Sequence, residues 1–263
     1  MSCGVARRRG IDDPPDGEAS GTTTEPMPGA RGMSILVVAP HADDEVLGCG
    51  GSMALAAAQG VEVHVLVVTQ GDPSIFPDEI TDAITREMQA AHRLLGVSRS
   101  VRLDFHAPKL DTLAEHVVVD AISAVVSDLR PDTVLMPHRG DPHVDHNVVT
   151  RAVTVATRPQ PGQHVRTVLE YETASETEWA APEAAAWFVP NVYVDIGGHL
   201  EAKLEAMACY ASQVGTFPHP RSVDYLRHLA HVRGGAVGLL AAEAFHLTRT
   251  TAGAPLWFGA TPA

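Results

Sequence analysis

Lysine is nearly missing from this 263-residue chain: only Lys109 and Lys203 are lysines among 19 basic residues. Acids outnumber bases 32 to 19, a formal net charge of −13, and no Lys/Arg run follows the first ten residues. Nothing can therefore track a phosphate backbone, which argues against nucleic-acid binding. Cysteine is scarce too. Cys3, Cys49 and Cys209 are scattered and odd in number, so they offer neither a disulfide framework nor a C-x-x-C metal site, and they suit a reducing compartment. No apolar run approaches the ~18 residues that span a bilayer, so no membrane span is expected. MSCGVARRRG carries arginines without an apolar segment behind them, does not read as a secretory signal, and leaves the cytoplasm as the expected location.

What is present describes a globular chain, 45% hydrophobic and 19% charged. The preference for Arg over Lys, with abundant Ala, Gly and Val, points to a GC-rich bacterial genome. Residues 1–32 are polar, rich in Gly, Pro and Thr, and predict a disordered leader. Residues 33–263 are expected to form one domain, with Met33 immediately before its first apolar run.

From Ser34 the β and α signals alternate. SILVVAP reads as a buried parallel strand and residues 45–60 as a helix closed by Gly60. Residues 61–69 are a strand, 78–96 an amphipathic helix, 100–105 a strand, 112–129 a helix, 132–137 a strand and 144–157 a helix. Beyond QPG, residues 166–173 and 191–196 read as strands, and 198–213 and 222–245 as helical. Such alternation predicts an α/β, Rossmann-like fold with a mostly parallel twisted sheet and helices on both faces. Ligand sites in such folds lie off the carboxyl ends of the strands.

Two clusters of chemistry follow strand ends. PHADDE sets His41 and Asp44 three apart at a strand-to-helix turn, able to face one point, with Asp43 and Glu45 beside them. HRGDPHVDHN follows the fourth strand and holds His138, Asp141, His143, Asp145 and His146. Brought together, the turns offer two His and one Asp around a shared point, a set for Zn²⁺ that Fe²⁺ or Mn²⁺ would also accept. Glu45 suits the helix dipole, and His138 and Asp141 stand either behind a ligating His or in a solvated loop. The GCGG of residues 48–51 is not a dinucleotide fingerprint: the turn before it is filled by carboxylates that repel a pyrophosphate. Cys49 there reads as a small buried residue that permits close helix–strand packing.

PHADDE with HVDH resembles the paired motifs of the PIG-L/LmbE-like zinc-dependent N-deacetylases of N-acetylglucosamine derivatives. NVYVDI, K-x₅-CYASQ, PRS and RG…AEAF resemble the C-terminal half of that family, so the likeness runs from about Ile35 to Phe245. It implies His41, Asp44 and His146 as metal ligands and Asp43 as general base. It further implies protonated His143 as the group that stabilises the oxyanion or protonates the leaving amine, with Asp145 orienting it. The expected function is a zinc-dependent deacetylase that removes N-acetyl from a small-molecule amino sugar conjugate. An amidase for another N-acyl conjugate, or a metal- or sugar-binding protein without turnover, are the alternatives, and a homo-oligomer is left open. Substrate contacts are expected from Arg86, where the family has a sugar-contacting Arg nearby, from Asp72 after the second strand, and from His219 in FPHPRS.

Overall fold

The structure is a computed structural model that describes residues 32–251 and residue 257. All of the expected leader except Gly32 lies outside the described residues. The elements run β1 (Ser34–Ala39), α1 (Asp44–Ala58), β2 (Glu62–Gly71), α2 (Asp78–Leu94), β3 (Arg99–Ala107), α3 (Glu115–Leu129), β4 (Thr133–Pro137) and α4 (Val144–Ala156). They continue with β5 (Thr167–Tyr171), β6 (Val192–Asp195), α5 (Leu200–Cys209), α6 (Val223–Gly235) and β7 (Ala242–Thr250).

One seven-stranded sheet has the order β3-β2-β1-β4-β5-β7-β6. The first five strands are parallel, and β7 runs antiparallel to both of its neighbours. This is the mostly parallel α/β architecture expected, and its central strands β1 and β4 are buried along their whole length because both faces are covered. Along β1, Ile35, Val37 and Ala39 enter a core shared with Leu47 of α1, Met88 of α2, Leu204 of α5 and Leu226 of α6. Leu36 and Val38 enter the other core, with Ile122 of α3 and Val149 of α4. Each such fully buried aliphatic side chain contributes about 1.5–3 kcal/mol of transfer free energy. Among the described residues, no helix is long and apolar enough to cross a membrane.

One expected helix is corrected. Residues 222–245 are not helical throughout: α6 stops at Gly235, and Ala242–Thr250 is a strand. Gly234 packs where a Cβ would lie 2.8 Å from the Ala241 backbone, and Gly238 takes φ +79, so the chain turns sharply here. AEAF has helical propensity, but ladder pairing on both sides, to β5 and β6, overrides it.

The GCGG stretch sits on α1 at its closest approach to the sheet and α5. A Cβ on Gly48 would meet Tyr171 at 2.3 Å, and one on Gly51 would meet Ile196 at 2.7 Å. Cys49 is fully buried, and burial pushes its thiol well above the usual range, which makes it a packing residue. Beside it lies a buried ion pair: the Lys203 ammonium is 2.6 Å from Glu243 Oε1 and donates to the Leu47 carbonyl at 2.8 Å. Glu243 in turn accepts from the backbone N–H of Gly51 (2.9 Å) and Ser52 (2.7 Å). The pair therefore ties α1 to both α5 and β7.

Candidate metal and catalytic site

β1 and β4 are neighbours at the centre of the sheet, with Ile35 paired to Thr133. The connections from these strands leave toward opposite faces, so a crevice opens at their carboxyl ends, and the PHADDE and HRGDPHVDHN turns meet there. The rings of His41, His143 and His146 lie 4.6–5.4 Å apart between centroids.

His41, Asp44 and His146 each offer an atom to one common point. Asp44 Oδ2 lies 3.2 Å from His41 Nδ1 and 3.3 Å from His146 Nε2. Buttressing carboxylates fix both rings. Asp141 Oδ2 takes His146 Nδ1 at 2.9 Å, and Asp145 Oδ2 takes His41 Nε2 at 3.1 Å. A carboxylate only accepts, so the neutral rings carry their protons on those nitrogens and turn the lone pairs of His41 Nδ1 and His146 Nε2 toward Asp44. His146 Nε2 and Asp44 Oδ1 are buried and make no hydrogen bond. Orphaned donor atoms of this kind, on one imidazole and a carboxylate, with His41 Nδ1 beside them, fit a divalent cation. A second grouping, His41, His143 and Asp145, is also close enough to share an ion. It fits less well, since Asp145 is already used: Oδ1 accepts the Leu110 N–H at 3.0 Å and Oδ2 binds His41.

The electrostatics express the same demand for positive charge. Burial opposes charge on His41, but hydrogen bonds to Asp145 and Asp44 prevail and push it up to about 9. Burial likewise opposes His146, and Asp44 with Asp141 push it up to about 10. Asp44, despite burial, is held well below the usual carboxylate range by His146 and His41.

Asp43 is distinct. It stands just before α1 at φ 112, ψ −28, and its side chain does not cap the helix. A left-handed conformation costs a non-glycine residue about 1–3 kcal/mol and persists only where the surroundings enforce it. Glu45 does so: it is fully buried, and its Oε2 accepts the Asp43 N–H at 3.1 Å. Glu45 Oε1 is held by the Tyr210 hydroxyl at 2.5 Å and lies 3.2 Å from His92 Nε2. Glu45 thus does more than favour a helix dipole. The Asp43 carboxylate faces Arg221, whose Nη1 is 3.1 Å from Oδ2. Burial raises Asp43 most, Arg221 opposes it, Asp44 and Glu45 add repulsion, and the result is a carboxyl pushed up to about 8.

Two expectations about His143 are corrected. Asp145 does not orient His143 with its carboxylate, which faces His41. Instead the Asp145 backbone N–H donates to His143 Nδ1 at 3.1 Å, making His143 the N-cap of α4. An accepting Nδ1 holds no proton, so His143 is the neutral Nε2–H tautomer, not an imidazolium. Burial first, then the neighbouring His41 and His146, lower it to about 4.

His41, Asp43 and His143 open on a cavity of about 300 Å³ also lined by Glu176, Gln213 and Arg221. Arg86, Asp72 and His219 do not line it. Arg86 lies two residues past Ile84, about 200° around α2, and is exposed. Asp72 is buried in an ion pair with Lys109 (2.5 Å) and pins the end of β2 to the segment after β3. His219 is exposed, and its Nδ1 accepts the Arg221 N–H at 3.1 Å, so it shapes the loop that carries Arg221. Arg221, Gln213 and Glu176 are the functional candidates that motif spacing did not single out, although PRS and CYASQ contain the first two. Arg221 is fixed by donating from Nε to Ser175 Oγ at 2.7 Å and from Nη1 to Gln213 Oε1 at 3.2 Å. Of the two histidine-cluster residues left open, Asp141 stands behind His146, whereas His138 binds Glu170 at 2.9 Å and no candidate ligand.

Residues 36–157 match the family described as PIG-L, GlcNAc-PI de-N-acetylase. The chain is 32% identical over 170 residues to the uncharacterized deacetylase YaiS of Escherichia coli K12, covering 62% of this chain and 81% of that protein. It is 28% identical over 189 residues to the probable N-acetyl-α-D-glucosaminyl L-malate deacetylase 2 of Bacillus cereus, covering 68% and 83%. N,N′-diacetylchitobiose deacetylase from Pyrococcus horikoshii shares the fold, with a TM-score of 0.67 and 23% identity over 82% of this chain and 84% of that one. The matched region runs from within β1 to the end of α4 and contains both turns that meet at the site: the chain belongs to the PIG-L family.

Proposed function

We propose that this protein is a metal-dependent hydrolase that removes the N-acetyl group from an N-acetylglucosamine-type conjugate, releasing acetate and the free amine. The observation that carries the reading is the convergence of His41, Asp44 and His146 on one point, with orphaned donor atoms, beside a carboxylate that neither joins them nor caps a helix. Names of the B. cereus and P. horikoshii proteins support the substrate class. His41 Nδ1, His146 Nε2 and Asp44 are the ligand set, suited to Zn²⁺ and acceptable to Fe²⁺ or Mn²⁺. A bound ion of this kind supplies Lewis acidity and lowers the pKa of water from 15.7 towards ~7.

The protein's own groups do the rest. Asp43, whose carboxylate neither joins the ligand set nor caps the helix, takes a proton from the attacking water. His143 Nε2–H donates to the oxygen on which negative charge develops. The amine then leaves with the proton that Asp43 has accepted. Arg221 holds the Asp43 carboxylate in place and offsets its charge. His143→Ala is expected to lower kcat by about 10²–10³-fold, the usual loss for one such donor. Steady-state kinetics on metal-saturated protein check this, and an unchanged kcat removes His143 from the reaction.

The metal assignment has its own test. Asp141→Asn removes the charge behind His146 and is expected to weaken metal affinity about 10–100-fold, read by competition with a chelator. Affinity equal to the parent's would place the ion elsewhere. The function is tested by acetate release from thiol-linked, nucleotide-linked, lipid-linked and pseudosaccharide N-acetylglucosamine conjugates by metal-reconstituted protein. Failure to bind one divalent ion per chain, or no acetate from any of them, overturns the reading.

A further inference from the structure

Phe76, two residues before α2, and Ile80 and Ile84 on its first turns all line the cavity that holds His41 and Asp43. The stripe continues as Met88 and Ala91, which are buried in the core. Its first half does not reach that core: Phe76 is 37% exposed, Ile80 42%, and neighbouring Ile75 50%. Ala107 and Pro108 extend the same apolar lining. An amphipathic helix normally spends its apolar face on the interior. Here Ile80 and Ile84, with Phe76 just before the helix, are spent on a cavity wall, next to the polar set of Asp43, His143, Glu176, Gln213 and Arg221. The hydroxyls of a sugar gain little against isoleucine and phenylalanine, whereas an alkyl or aryl group covering them removes apolar surface from water on both sides.

We propose that this stripe is a subsite for an apolar group of the substrate, so that the natural substrate is an amino sugar conjugate bearing an alkyl or aryl substituent. The assignment rests on the deacetylase reading above. The apolar group could be carried by the aglycone or by the N-acyl chain, and the two sources separate experimentally.

The test compares three compounds on metal-loaded, full-length protein: methyl N-acetyl-β-glucosaminide, its hexyl glycoside, and methyl N-hexanoyl-β-glucosaminide. Binding is measured by calorimetry and acyl release in parallel. One of the two hexyl-bearing compounds is expected to bind tenfold or more tightly than the methyl N-acetyl glycoside, since about two buried methylenes suffice for that. Whichever gains identifies the source. Ile80→Gln and Phe76→Ser, both at partly exposed positions, are expected to bring the affinity ratio back toward one. Equal affinities for all three compounds, or a gain that survives both substitutions, overturn the subsite. Apolar-selective binding with no acyl release from any compound overturns the deacetylase reading instead and leaves the subsite standing. Acyl release without apolar preference does the reverse.

Discussion

Replacing Asp43 by asparagine is expected to lower kcat by about 10²–10⁴-fold while the protein keeps a full equivalent of divalent metal. The substitution is a clean one. Asparagine tolerates the left-handed backbone that this position requires, φ 112, better than most residues. The Asp43 side chain makes no helix cap that the amide would lose, and the N–H that binds Glu45 is main chain. What disappears is the proton acceptor and the negative charge facing Arg221. Metal content, by elemental analysis of the purified variant, and kcat, by acetate release, separate the possibilities. Loss of the metal would make Asp43 a ligand. Activity within a few-fold of the parent's would assign the base to another group, and Glu176, on the same cavity, would be the next candidate.

Replacing Glu243 by leucine is expected to destabilise the fold by about 3–5 kcal/mol, because removing one member of a buried pair strands the other charge. For a domain of this size each kcal/mol shifts Tm by about 2–4 °C, so Tm should fall by roughly 6–20 °C. The stranded group is the Lys203 ammonium, which retains only the Leu47 carbonyl, while Gly51 and Ser52 lose a carboxylate acceptor. The double variant Lys203→Met/Glu243→Leu removes both charges and is expected to recover most of the loss, since well-packed apolar replacements of buried pairs are often neutral. Denaturant unfolding of both variants, with m unchanged, measures the effect. Two outcomes sink the account: a single variant as stable as the parent, or single losses that simply add in the double variant. As α1 begins at Asp44, loosening this anchor should also loosen Asp44, a proposed metal ligand, at its first turn.

The grouping of His41, Asp44 and His146 was legible because these residues come in two short motifs, each directly after a strand. Spacing of three puts His41 and Asp44 at one turn, and the βα alternation puts both motifs at carboxyl strand ends. The orienting groups were less legible. HVDH crowds three functional side chains into four residues, and nothing local says whether the Asp145 carboxylate turns to His143 or across the crevice to His41. The fold chose the second, since making His143 the N-cap of α4 directs the Asp145 amide, not its carboxylate, at the ring. Arg221 was harder still. It lies 178 residues from Asp43 in a loop without regular structure, and its partners Ser175 and Gln213 come from two further segments.

By itself the sequence determined the mostly parallel sheet, through the alternation of β and α signals, and the grouping of His41, Asp44 and His146, through residue types at fixed strand ends. Only the tertiary structure decided which ring nitrogens accept and which donate, which groups hold Asp43, and which wall of the cavity is apolar. The physical reason is range. Periodicity and motif spacing are set by neighbours along the chain. Proton positions, hydrogen-bond partners and cavity linings are set by segments distant along the chain, which meet only once the sheet has formed.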